Sequence, residues 1–176
     1  MTKRLITAAV GASLILVAYV AESHDRRNGG QRATARLDGY QENPSISTTG
    51  RGQLDLWIDE KAETIDYRLR YSRLEGAAQV AHIHFARSRV NGPVVVFLCG
   101  GAGTPVCPPA GGTVEGTIGP GDVPTTGAAA VNGLDTFAEL VRAIRASATY
   151  ADVHSTRWGG GEIRGQIFVT HGDDED

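Results

Sequence analysis

The stretch that decides the fold is VAHIHFARSRVNGPVVVFL, residues 80–98. It reads as two buried strands joined by a turn. A strand sends successive side chains to opposite faces, so His82 and His84 share one face and Ile83 takes the other. Asn91-Gly92-Pro93 supplies the turn. Residues 94–98, VVVFL, form a continuous apolar run of the length a buried strand has.

Working outward, the same period of two recurs. In GRGQLDLWID, residues 50–59, Leu54, Leu56 and Ile58 fall on one face and Gln53, Asp55, Trp57 and Asp59 on the other. Asp59-Glu60-Lys61 makes a polar turn, and residues 64–71 alternate again with Ile65, Tyr67, Leu69 and Tyr71 inward, which predicts a hairpin. Residues 33–40 form a first strand, broken by Gln41-Glu42-Asn43-Pro44 because proline cannot donate to a ladder. Downstream, residues 111–118 read as a strand and 123–133 as a loop. Over residues 134–147, Leu134, Phe137, Leu140, Val141 and Ile144 recur at helical spacing, with Asp135 or Asn132 as the expected cap. Residues 147–154 return to strand, Trp158-Gly159-Gly160-Gly161 is a turn, and EIRGQIFV, residues 162–169, is the last strand. The pattern predicts an all-β fold, an antiparallel Greek-key sandwich or barrel with one short α-helix.

The chain of 176 residues fits one domain, residues 33–170, with 23 glycines and 7 prolines spread as punctuation between short apolar runs. The net charge of −3 comes with no basic stripe, so nucleic acid is set aside as a partner. Lys3 and Arg4 precede an apolar stretch from 5 to 21 and a polar exit. Residues 1–23 therefore read as a secretory signal, with an uncleaved N-terminal anchor as the alternative. HDRRNGGQR, residues 24–32, is a flexible linker, and HGDDED, residues 171–176, an acidic tail. The two cysteines, Cys99 and Cys107, bracket CGGAGTPVC. In an oxidising compartment they read as a disulfide closing a short loop, a contribution of about 2–3 kcal/mol. A cysteine metal site is the weaker reading, because the spacing is not that of a metal clasp and no histidine lies inside the loop. The expectation is an exported protein, periplasmic or extracellular, with no membrane contact beyond its N-terminal segment.

Chemistry concentrates in two places. His82 and His84 can bind one ion from a single strand face without backbone strain. His154, from the second dense stretch YADVHSTRWGGGEIRGQ at residues 150–166, would complete a three-histidine set suited to copper or zinc. The competing reading is an exposed polar pair, or core histidines held by hydrogen bonds. Tyr150, Asp152 and His154 share a face. Glu162 and Arg164 share another; they could pair with each other, or Arg164 could form a two-pronged structural ion pair with a buried carboxylate such as Glu42. No serine lies in a nucleophile elbow, no phosphate-binding glycine loop is present, and no carboxylate pair fits glycoside chemistry.

These segments resemble a known family. AHIHF at residues 81–85, NGPVVVFL at 91–98, Y-x-x-V-H-S from Tyr150 and GEIRGQ from Gly161 are similar to the motifs of the chordin-type (CHRD) domain. LDGYQENP at residues 37–44 resembles its opening segment, which makes Glu42 a family position. Ser155 and Gly159 depart from the usual threonine and proline, and the cysteine loop looks like an insertion of some bacterial members. The resemblance implies an exported or extracellular domain that is not known as an enzyme. An H-x-H strand in a Greek-key fold is also similar, as a pattern only, to the copper strand of copper–zinc superoxide dismutase.

Three functions compete. The first is a non-enzymatic module binding a metal ion, copper ahead of zinc, through His82, His84 and His154, with a fourth position open to water and with Asp152 and Glu162 orienting imidazoles from outside. The second is a structural or interaction module that binds another envelope or extracellular protein without metal. The third is a dismutase-like redox enzyme in which Arg87, Arg89 and Arg157 guide a small anion.

Overall fold

The computed structural model describes residues 30–170. The expected signal or anchor, most of the linker and the acidic tail lie outside the described residues.

Nine strands form one antiparallel sheet. They are β1 (Gln31–Asp38), β2 (Arg51–Asp59), β3 (Thr64–Ser72), β4 (Ala78–Phe85), β5 (Val94–Cys99), β6 (Gly111–Ile118), β7 (Thr149–Ser155), β8 (Ile163–Gln166) and β9 (Phe168–Thr170). The order across the sheet is β5-β4-β7-β8-β1-β2-β3-β6, with β9 added against β1. The sheet curls until its end strands β5 and β6 approach, giving a nearly closed barrel. Tyr67 ties this closure from inside, its hydroxyl donating to the Leu98 carbonyl at 2.7 Å.

The alternation read in the sequence sets the layers. Leu54, Leu56, Ile58, Ile65, Leu69, Ile83, Val153 and Ile163 all point into one core and are 2% exposed or less. The β2–β3 hairpin pairs Leu54 with Leu69 and Ile58 with Ile65. The Cys99–Cys107 disulfide is formed, with both residues buried.

The helical region differs from expectation in detail. Residues 128–131 form a single turn, α1 (Ala128–Val131), within the predicted loop. The main helix, α2 (Phe137–Arg145), starts later than its apolar spacing implied. Its cap is Thr136, not Asp135 or Asn132: the Thr136 hydroxyl accepts from the Glu139 amide at 3.3 Å, and the Glu139 carboxylate accepts from the Thr136 amide at 3.1 Å. That reciprocal box satisfies two otherwise orphaned amides, which a lone aspartate cannot do. The last strand is also split. Ile167 turns inward and donates its amide to the Thr149 carbonyl at 3.0 Å, so β8 sits between β7 and β1 while β9 pairs only with β1.

Candidate metal centre

β4 and β7 run antiparallel, with Val80 opposite His154, His82 opposite Asp152 and His84 opposite Tyr150. β8 continues the ladder, with Arg164 opposite Asp152 and Gln166 opposite Tyr150. Alternation sends Ala81, Ile83, Ala151 and Val153 into the core, so His82, His84, Tyr150, Asp152, His154, Arg164 and Gln166 share the barrel's outer face.

That outer face is nonetheless buried. The connection between β4 and β5, residues 86–93, lies over it and is held by the strands beneath. Arg164 donates to Asn91 Oδ1 at 3.0 Å and to the Val90 and Arg87 carbonyls at 2.8 and 3.4 Å. Gln166 Nε2 donates to the Ala86, Ser147 and Thr149 carbonyls. His82 and His84 keep only 7% and 8% of their surface, and Arg164 only 2%.

The three histidines meet. Their ligand atoms all lie within 4.8 Å of one another. Two backbone carbonyls fix the ring tautomers. His84 Nδ1 donates to Gly92 O at 2.9 Å and His154 Nδ1 to Gly159 O at 3.0 Å. A proton held on Nδ1 leaves the Nε2 lone pair free, and an outer partner on the other nitrogen is the usual support of a metal-bound histidine. His84 Nε2, His154 Nε2 and His82 Nδ1 are buried with no protein partner. A buried polar atom left unpaired costs about 1–3 kcal/mol, so three unpaired nitrogens in one cluster favour an occupant. Burial and the neighbouring imidazoles push the His82 pKa down to about 3. Burial, partly opposed by the Gly92 hydrogen bond, takes His84 to about 4. Both rings are neutral at pH 7, the state in which imidazole ligates a metal.

Tyr150 buttresses the cluster. Its ring stacks on His84 at 4.6 Å with 4° between planes, and the Arg164 guanidinium carbon sits 3.4 Å from its centroid. His82 packs edge-on against Phe97 at 4.6 Å.

Other predicted site residues take different places. The two-pronged Glu42–Arg164 bond is not formed. The Arg164 fork is spent on the covering loop, and the Glu42 carboxyl lies against Asp152 instead. Burial first, then the Asp152 charge, raises Glu42 to about 9, while Arg164 opposes from a distance. Asp152 is also raised, chiefly by burial. Two buried carboxyls side by side resist carrying two negative charges at once. Gly161, at φ 120°, makes room for this pair, since a Cβ there would stand 2.6 Å from Asp152 Oδ1 and 2.8 Å from Glu42 Oε1. Glu162 orients no imidazole. Its Oε1 accepts from Thr48 Oγ1 at 2.7 Å and the Glu75 amide at 2.6 Å, pinning two loops. Asp152 does approach a histidine, with Oδ1 3.8 Å from His154 Nε2. Among the arginines expected to guide an anion, Arg157 pairs with Glu75 at 3.0 Å and lies over Trp158. Tyr150, Asn91 and Gln166 were visible in the sequence only as polar strand or turn residues; their bonds to Gly92, Arg164 and Ala86 span 58 to 80 residues.

The CHRD domain model matches residues 33–167, nearly the whole described chain. The chain belongs to the CHRD domain family. The match takes in both histidine strands, the Glu42 segment and the cysteine loop of this CHRD domain. Among curated proteins, none matches the chain.

Proposed function

We propose that this CHRD domain is an exported metal-binding module that holds one transition-metal ion through His82, His84 and His154, without turnover. The observation that carries the reading is the convergence of three buried, partnerless imidazole nitrogens within 4.8 Å, two of them with their tautomer set by a carbonyl. An all-imidazole core without thiolate suits copper(II) and zinc, and copper(II) leads on intrinsic affinity. A three-imidazole set at bonds of about 2.0–2.1 Å has ligand–ligand distances of about 3.3–3.5 Å, so binding draws the rings inward by about an ångström. The Cys99–Cys107 disulfide supports an oxidising compartment, periplasmic or extracellular, which is where such a site meets copper. Calorimetric titration of the metal-free protein with Cu(II) and with Zn(II), beside His84→Ala, tests the reading. One tight equivalent lost in the variant supports it, and electron spin resonance of the copper form counts the nitrogens. Equal uptake by the variant overturns it.

A further inference from the structure

We propose that Asp152 supplies a fourth ligand, so that the site closes around its ion and keeps no position for an exchangeable water; the inference rests on the three-histidine reading. Three observations place the carboxylate there. Asp152 lies two residues before His154 on β7 and directly opposite His82 on β4, so it leaves the same face between two ligands. Its Oδ1 stands 3.8 Å from His154 Nε2, the nitrogen that would bind the ion. A carboxylate that merely oriented the ring would sit at Nδ1, and that nitrogen already donates to the Gly159 carbonyl. Finally, Asp152 is 4% exposed and its Oδ1 is buried without a hydrogen-bond partner.

The distance fits the geometry of a small ion. A tetrahedral site with bonds of about 2.0–2.1 Å has edges of about 3.3–3.4 Å, within about half an ångström of the 3.8 Å from Asp152 Oδ1 to His154 Nε2; the carboxylate stands outside the 4.8 Å cluster of the three imidazoles and takes the fourth position by moving in with the rings. Glu162, the other carboxylate expected near the site, has its Oε1 held by Thr48 and the Glu75 amide; its Oε2 is buried and unpaired, and it makes no approach to a histidine like the 3.8 Å of Asp152. Glu42 reaches the cluster only through Asp152, at Gly161. Three nitrogens and one carboxylate oxygen make a hard-to-borderline donor set, matched to a divalent ion and poor for Cu(I). Closed four-ligand sites hold an ion, whereas sites that turn over substrate keep a position open.

The test uses Co(II) as a visible probe and azide as an anion that enters any open coordination position. Full-length wild type, Asp152→Ala, the shape-preserving Asp152→Asn and His84→Ala are loaded with Co(II) after chelator treatment. The expected result is a wild-type Co(II) spectrum unchanged by azide and no excess water-proton relaxation in the Cu(II) form. Both Asp152 variants should acquire an azide-dependent shift and lose at least about tenfold in affinity. A wild-type spectrum that azide shifts overturns the inference, as does an Asp152 variant as inert and as tight as wild type. If a variant takes up no Co(II), the wild-type azide and water responses decide alone. Co(II) uptake that survives His84→Ala removes the three-histidine reading itself, whereas uptake dependent on His84 and indifferent to Asp152 removes only the fourth ligand.

Discussion

Asp55 and Asp152 are both buried aspartates on the barrel's outer face, 8% and 4% exposed, and they are treated in opposite ways. Asp55, on the half formed by β1, β2 and β3, accepts from Arg70 Nη2 at 2.6 Å, Gln53 Nε2 at 2.8 Å and Thr34 Oγ1 at 3.3 Å. Asp152, on the half formed by β4, β7 and β8, has a bare oxygen, a second carboxyl beside it and, on the same face, three imidazoles that each carry one partnerless nitrogen. The same period-two alternation builds both faces. On the first, polar groups are paired and largely wet, with Arg32 and Arg68 stacked about Trp57. On the second they are covered by a loop and left unsatisfied. Buried polar groups are normally hydrogen-bonded, so the second face holds an unmet demand that the first does not. Polarity alone therefore does not mark a site; polarity without partners under a cover does.

Metal should break the symmetry of the two faces most strongly. An ion that binds only the folded form at a thousand times its dissociation constant adds about 4 kcal/mol of stability. For a domain of this size that is a rise in melting temperature of about 10 °C, reversed by chelator. His84→Ala should abolish the rise. Arg70→Ala, which touches only the paired face, should leave it intact. Differential scanning calorimetry with and without Cu(II) measures both, and an equal metal response in wild type and His84→Ala would erase the contrast.

Arg164 is the next lever, because it holds the cover that makes one face dry. Arg164→Ala removes the donor from Asn91 Oδ1 and the Val90 carbonyl, leaves the Arg87 carbonyl only its bond from the Val90 amide, and withdraws the cation stacked on Tyr150. Removing one member of a buried charged network costs about 3–5 kcal/mol. Arg164→Lys should recover little of it, since a point charge cannot serve three acceptors as a planar fork does. Urea unfolding reads the loss, and hydrogen exchange should show faster opening of residues 86–93. A loss below about 1 kcal/mol would mean the cover stands without Arg164.

This division was half legible in the residues. Period two put His82 with His84 and Tyr150 with Asp152 and His154, and the strands followed with bounds close to those observed. That β4 and β7 pair in the register that gathers the histidines also agrees with the expected site. The cover was not legible. Nothing local says that Arg164 reaches back 73 residues to Asn91, or that Glu42 faces Asp152 across the fold instead of Arg164. Backbone acceptors are the least visible of all, because the Gly92 and Gly159 carbonyls that fix the histidine tautomers carry no side-chain signature. The split at Ile167 was hidden because an inward isoleucine extends an apolar strand pattern whether or not the ladder changes partner.

The pH dependence of the metal-free protein sharpens the comparison from a third side. His82 and His84 titrate at about 3 and about 4 when folded and near 6.5 when unfolded. Below pH 6.5 the unfolded chain binds more protons, so stability falls with pH down to about 3. Glu42 works the other way. Its folded value of about 9 stands above its unfolded value of 4.5, so its contribution is whole below 4.5 and is lost as pH rises to 9. Asp152, also raised, acts in the same direction as Glu42, so above the unfolded histidine value of about 6.5 apoprotein stability should fall as pH rises. Glu42→Gln should flatten the alkaline limb and spare the acid one. A melting temperature that climbs steadily to pH 9 would contradict a Glu42 carboxyl held above its ordinary range.

The smallest effect belongs to the wet face, and its smallness carries weight. Arg68 pairs with Glu115 across β3 and β6 and lies 5.9 Å from the Trp57 ring centroid. Its side chain keeps 30% of its surface and that of Glu115 keeps 49%, so water and salt screen the pair. Exposed ion pairs contribute about 0–1 kcal/mol, and Arg68→Ala should fall within that range and shrink further in high salt. Metal affinity, measured by the same titration, should not move. A loss of 2 kcal/mol or more, or any change in metal uptake, would show that the paired face is coupled to the dry one through the shared core strands. Without it, the barrel carries two independent surfaces on one hydrophobic interior, and only the one with unsatisfied nitrogens is chemically committed.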